Sequence, residues 1–151
     1  MKWFAVLVFS MLLLGACDQK ETPQSDKEVS GEVEQNDLAL SIEAVPKNGE
    51  VEFIMALKNN RNEDVEFTFN TGQRFELVVY DEKGEQKYRY SKDKMFTQAF
   101  QSIVLKPSEV YEFTDVWKTE NLEPGEYKAT VTFLGKSESV NTLKASTSFS
   151  S

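Results

Sequence analysis

From residue 67 to residue 90 the chain reads FTFNTGQRFELVVYDEKGEQKYRY, a pattern that extended strands absorb and helices do not. Phe67 and Phe69 alternate with Glu66 and Thr68, and Phe75, Leu77 and Val79 alternate with Glu76 and Val78. An apolar side chain at every second residue marks a strand with one face buried, whereas a helix needs spacings of three and four. Asp81-Glu82-Lys83-Gly84 then reverses the chain, and Gly84 can take a positive φ without steric cost. The stretch predicts strand, loop, strand, tight turn, strand, with the surrounding chain supplying partners.

The same period recurs on both sides. Leu38, Leu40 and Ile42 alternate with smaller or polar residues before a turn at residues 46–49. Val51, Phe53, Met55 and Leu57 line one face of the next strand, while Ile54 and Ala56 make its other face partly apolar. That strand is expected to be central and packed on both sides. Residues 59–64 form a polar loop, and residues 88–91 finish the hairpin. Residues 92–94 begin a connection, and residues 96–100 read as a short turn or a poorly formed strand. Residues 103–105 and 110–116 flank a turn at 106–109, with the large side chain of Trp117 following. After the turn at 123–126, Tyr127, Ala129, Val131 and Phe133 alternate cleanly with Lys128, Thr130 and Thr132. A weaker strand runs from about 140 to 147, anchored by Leu143. Short strands, turn chemistry between them and no helical period after Leu14 predict an all-β chain: a single immunoglobulin-like antiparallel β-sandwich over residues 38–151.

The N-terminal segment is of another kind. Lys2 gives a positive start, and residues 3–14 are apolar apart from Ser10. A run of this length suits the core of a signal peptide and is too short for a permanent membrane span. It ends in Leu14-Gly15-Ala16-Cys17, which resembles a bacterial lipobox. The resemblance implies removal of residues 1–16, lipid attachment at Cys17, and a location outside the cytoplasm on the cell membrane. Two or more acyl chains make such an anchor stable where one does not. The competing reading is an ordinary cleaved signal with an incidental cysteine. Residues 18–37 contain only Val29 and Val33 as apolar side chains, too little burial to offset the entropy of ordering. Residues 17–37 therefore read as the lipidated cysteine and a disordered acidic tether, reaching about 25 Å as a coil.

Charge and residue counts exclude much chemistry. The 151 residues carry a formal net charge of -8, which gives no electrostatic reason to sit on phosphate backbones, so nucleic acid is not an expected partner. With no histidine and one cysteine, thiol-rich and imidazole metal sites lack ligands, and neither a metal nor a cofactor is expected. Ser91-Lys92-Asp93-Lys94 fits the S-x-x-K pattern of penicillin-interacting enzymes, but no S-D-N or K-T-G partner follows. Neighbouring carboxylates, as at Asp81-Glu82, are unavoidable among 25 acids and read as solvated turns. No catalytic residue is assigned and the chain reads as a non-enzyme.

One segment stands out in composition. Lys87, Arg89, Lys92 and Lys94, together with Tyr88 and Tyr90, put cations and aromatic area on one short stretch of an acidic protein. Such a mixture is favoured at protein-binding sites, and lysines also protect an edge strand from aggregation. Phe96 carries the same two readings, a plug facing a partner or a core residue closing the sandwich.

The residues also resemble a known family. Phe69-Asn70-Thr71-Gly72-Gln73-Arg74-Phe75-Glu76, then Val79-Tyr80-Asp81, Gly84 and Tyr90-Ser91, follow the pattern of the intracellular proteinase inhibitor domain typified by BsuPI. Phe96-Thr97-Gln98-Ala99, Leu105-Lys106-Pro107, Trp117 and Pro124-Gly125-Glu126-Tyr127 continue it in order, and Ser108 stands where that pattern has glycine. The resemblance covers roughly residues 51–134 and implies a small β-sandwich that inhibits a serine protease. The expected partners are thus the membrane, through the lipid, and a serine protease. The alternative is a structural or assembly module of the envelope, contacting another envelope protein or anionic polymers.

Overall fold

Alternation becomes strand in ten segments of residues 29–151, the part of the chain that the structure, a computed structural model, describes. The strands are β1 (Val29–Gln35), β2 (Leu38–Lys47), β3 (Glu50–Asn59), β4 (Val65–Phe69) and β5 (Phe75–Asp81). They continue as β6 (Gln86–Arg89), β7 (Gln101–Leu105), β8 (Val110–Lys118), β9 (Glu126–Phe133) and β10 (Leu143–Ser150). The signal peptide expected at 1–16, Cys17 and the tether as far as residue 28 lie outside the described residues.

Two four-stranded antiparallel sheets, ordered β1-β2-β3-β8 and β10-β9-β5-β6, pack face to face, and β4 pairs with β7 beside them. Leu40 and Ile42 of β2 and Val51, Phe53, Met55 and Leu57 of β3 meet Leu77 and Val79 of β5 and Ala129 and Val131 of β9, all buried. Each of these side chains larger than alanine contributes about 1.5–3 kcal/mol through loss of water contact. β4 closes one end, where Phe67 and Phe69 set their rings edge-on to Phe133 at 5.2 and 5.6 Å. At the start of β9 the Tyr127 hydroxyl donates to the Glu123 carbonyl at 2.8 Å, the tyrosine corner of immunoglobulin-like sandwiches.

The turns follow their sequence chemistry. Asp81 Oδ1 accepts from the backbone N–H groups of Lys83 and Glu85, each at 2.9 Å, and Gly84 sits at φ 80°. Ser108 lies at φ 65°, the left-handed region, where glycine carries no steric penalty. Asn59, wholly buried, donates its side-chain amide to the carbonyls of Glu63 and Leu105 at 2.8 and 2.9 Å and accepts from the Arg61 N–H. It thereby ties the loop after β3 to the end of β7.

Several elements differ from the sequence reading. The outer face of β3 is half-buried at Ile54 and Ala56, with no layer packed over it among the described residues, so β3 is central within its sheet but buried on one side. Residues 96–100 form no strand; they belong to an irregular connection between β6 and β7. β10 runs on to Ser150, and Phe149 packs against Phe53 and Tyr127 at 6.0 and 5.5 Å. The sandwich also begins at Val29 instead of Leu38, because β1 pairs along its whole length with β2.

β1 is polar, yet it has a reason to be a strand. Glu32, Glu34 and Gln35 are exposed, Val33 packs against the core, and Gly31 pairs with Ile42 on the inward face. A Cβ on Gly31 would lie 1.6 Å from the Ser146 carbonyl oxygen, so here β1 and β10 meet backbone to backbone. Gly31→Ala must push them apart. It is expected to cost about 1–3 kcal/mol, read as a lower urea midpoint with unchanged spectra. Wild-type stability in that variant would mean that β1 does not rest on β10.

Candidate functional site

The edge opposite β1 and β10 is built differently. β8 ends one sheet and β6 ends the other, and side chains, not backbones, fill the gap between them. Register decides which side chains these are. Val79 faces the core and pairs with Tyr88, while Val51, Phe53 and Met55 pair with Trp117, Asp115 and Phe113. Tyr88 therefore meets Trp117 across the gap, the rings stacked at 5.7 Å. Phe113, Phe75 and Tyr90 continue the aromatic row at 4.8 and 4.2 Å, and Phe96 rests on Tyr90 at 5.9 Å.

A carboxylate holds this edge together. The Tyr88 hydroxyl donates to Asp115 Oδ2 at 2.6 Å, and Lys94 Nζ lies 3.5 Å from Asp115 Oδ1. Lys94 Nζ also sits 3.5 Å from the centre of the Tyr90 ring, a cation–π contact. Partial burial, reinforced by the Asp115 charge, pushes the Tyr88 hydroxyl well above the usual phenol range. The same two causes raise Tyr90, burial first. Both phenols stay protonated near neutrality.

The remaining cations of the segment are also occupied. Lys87 pairs with Glu85 and Asp81 at 3.0 and 3.1 Å, and these contacts hold its ammonium above the ordinary lysine range. Arg89 pairs with Glu76 at 3.2 Å. Glu76 further accepts from the Ser91 hydroxyl and N–H at 2.6 and 3.1 Å. Ser91 and Lys94 thus serve different partners, and the S-x-x-K spacing does not assemble a nucleophile and its base.

Each residue singled out from the sequence now has a place. Tyr88 and Tyr90 turn inward, Phe96 is half-buried against Tyr90, Lys87, Arg89 and Lys94 neutralise carboxylates, and Lys92 is exposed. The segment is an interlocked edge whose charges balance locally. Asp115, Glu76 and Trp117 complete it, and only the inward register of β8 could have drawn the first of them from the sequence. Among the described residues no three acidic, histidine or cysteine side chains converge to hold a metal ion.

Two packed antiparallel sheets with a tyrosine corner define an immunoglobulin-like β-sandwich, here with one edge sealed by aromatic rings. Residues 38–138 match the family model for BsuPI, the intracellular proteinase inhibitor, and the chain belongs to that family. The match leaves β1 and β10, the backbone-to-backbone edge, outside its limits. Membership of a proteinase inhibitor family points to a protein that is not an enzyme. Among solved structures the chain is similar to a DUF1425 family member from Shewanella sp. pv-4, at 8% identity and TM-score 0.34, over 80% of this chain and 85% of that one. The comparison with curated proteins found no match.

Glu76 provides a test of the edge. Partial burial works to raise its pKa, but the Ser91 hydrogen bonds and then Arg89 outweigh it, and the carboxyl titrates below its usual range. A depressed folded pKa adds stability above the unfolded value, about 4.3, and that stability fades as pH falls through the folded value. Glu76→Gln is expected to lose about 1 kcal/mol at pH 7 and to match the wild type more closely at pH 3, in urea titrations at both pH values. An equal difference at the two pH values would exclude an ionised Glu76 as the stabilising species.

Proposed function

We propose that this protein is a non-enzymatic lipoprotein, held outside the cytoplasm by lipid on Cys17, whose sandwich binds and restrains a serine protease. The observation that carries the binding part is the family match over residues 38–138, which spans strands β2 to β9. Support for the anchor comes from the sequence: an apolar run ending in Leu14-Gly15-Ala16 before the one cysteine of the chain. In this reading a fold described for an intracellular inhibitor works at the membrane surface.

The alternative, contact with anionic envelope polymers through residues 87–94, draws no support from the edge geometry. Lys87, Arg89 and Lys94 already carry carboxylate partners, and a polymer would have to displace them.

Two measurements test the proposal. Cells expressing the full chain should incorporate labelled palmitate into it and retain it in the membrane fraction, and Cys17→Ser should abolish both; labelling of the variant would refute the anchor. The chain without residues 1–16 and bearing Cys17→Ser should slow a subtilisin-type protease in proportion to added inhibitor, with a constant of about micromolar or tighter. Full protease activity at a hundredfold excess would refute inhibition.

A further inference from the structure

An inhibitor must offer its target something, and the sealed edge leaves little outward. The described residues expose six large hydrophobic side chains, of which Tyr80, Val104, Val110 and Val116 lie on strands at 39–49% exposure. Scattered side chains of that kind are ordinary at a protein surface. Met95 and Phe100 are different: they are 100% and 86% exposed, and both belong to the connection between β6 and β7.

That connection is irregular but fastened around Met95. Before it, Ser91 is bound to Glu76 by side chain and backbone, and the Lys94 N–H donates to the Ser91 carbonyl at 3.3 Å. The Lys94 side chain is held by Asp115 and Tyr90. After it, Phe96 rests on Tyr90, and the Thr97 carbonyl accepts from the Gly72 N–H at 2.9 Å. Neighbours on both sides are pinned to the sandwich while Met95 itself touches solvent alone. A loop ordered before it binds loses less conformational entropy on association. Serine endoproteases, for their part, select by seating one side chain in a primary pocket, and in some that pocket is a hydrophobic slot.

We propose that Met95 is the side chain this protein seats in the primary pocket of its target, a serine endoprotease whose pocket accepts long unbranched apolar side chains, with residues 90–100 as the contact loop. The inference rests on the proteinase-inhibitor reading. Phe100 adds a second apolar contact from the same loop.

The test compares inhibition constants for the chain without residues 1–16 and bearing Cys17→Ser, against a chymotrypsin- or subtilisin-type protease and against trypsin. Met95→Asp is expected to weaken inhibition of the apolar-pocket protease by about 100-fold or more, the scale of a buried interface anchor. Met95→Lys is expected to shift inhibition toward trypsin, whose pocket carries an aspartate. Met95 is fully exposed, so both variants should keep the wild-type thermal midpoint, which separates lost contact from lost fold. Met95→Asp inhibiting within about twofold of wild type would overturn this assignment and leave the inhibitor reading standing. Absence of inhibition by the unsubstituted Met95 form toward either protease would overturn both.

Discussion

The hydrogen bond from the Tyr88 hydroxyl to Asp115 joins the free edges of two sheets, and the outward loop inherits its position from it. Asp115 sits on the inward face of β8, in the row with Phe113 and Trp117, where an unpaired carboxylate would be costly. It is tolerated because Tyr88 and Lys94 both address it. The arrangement answers a steric problem. Rings as large as Trp117 and Tyr88 prop this edge open, and a polar contact beside them fixes its width. Lys94 then carries the constraint from β8 into the connection after β6.

The opposite edge solves the same problem by subtraction. Gly31 has no side chain to insert, so β1 closes directly onto the backbone of β10. The family match extends over neither strand. The sandwich therefore combines a side formed by the family's own residues, with rings and a half-buried acid, and a side formed by flanking chain and a glycine.

Much of this was legible and some was not, for reasons that particular residues make plain. The inward rows of β3, β5 and β9 are clean alternations, and burial is what alternation encodes. β1 gives almost no signal, since Glu32, Glu34 and Gln35 say solvent and the strand exists through its ladder to β2. Asn59 looks like the first residue of a polar loop, yet it is buried because its amide meets three backbone groups brought together by the fold. The segment from Lys87 to Tyr90 shows what period adds to composition. Alternating cation and aromatic is itself a strand pattern, and it sends the rings inward and the charges outward to nearby acids. That Asp115 would be met by Tyr88, or Glu76 by Ser91, is a matter of register between distant segments, and 25 acids offer no means of choosing among them.

The polar first strand also decides how the domain resists being pulled. Chain arriving from the N-terminal side enters at Val29, hydrogen-bonded to β2 along one flank and lying against β10 along the other. Tension on that lead-in falls on the ladder of backbone bonds between β1 and β2 before it reaches the apolar interior. A pull from that side is therefore met first by the backbone hydrogen bonds of a polar strand, ahead of the apolar rows that supply the thermodynamic stability.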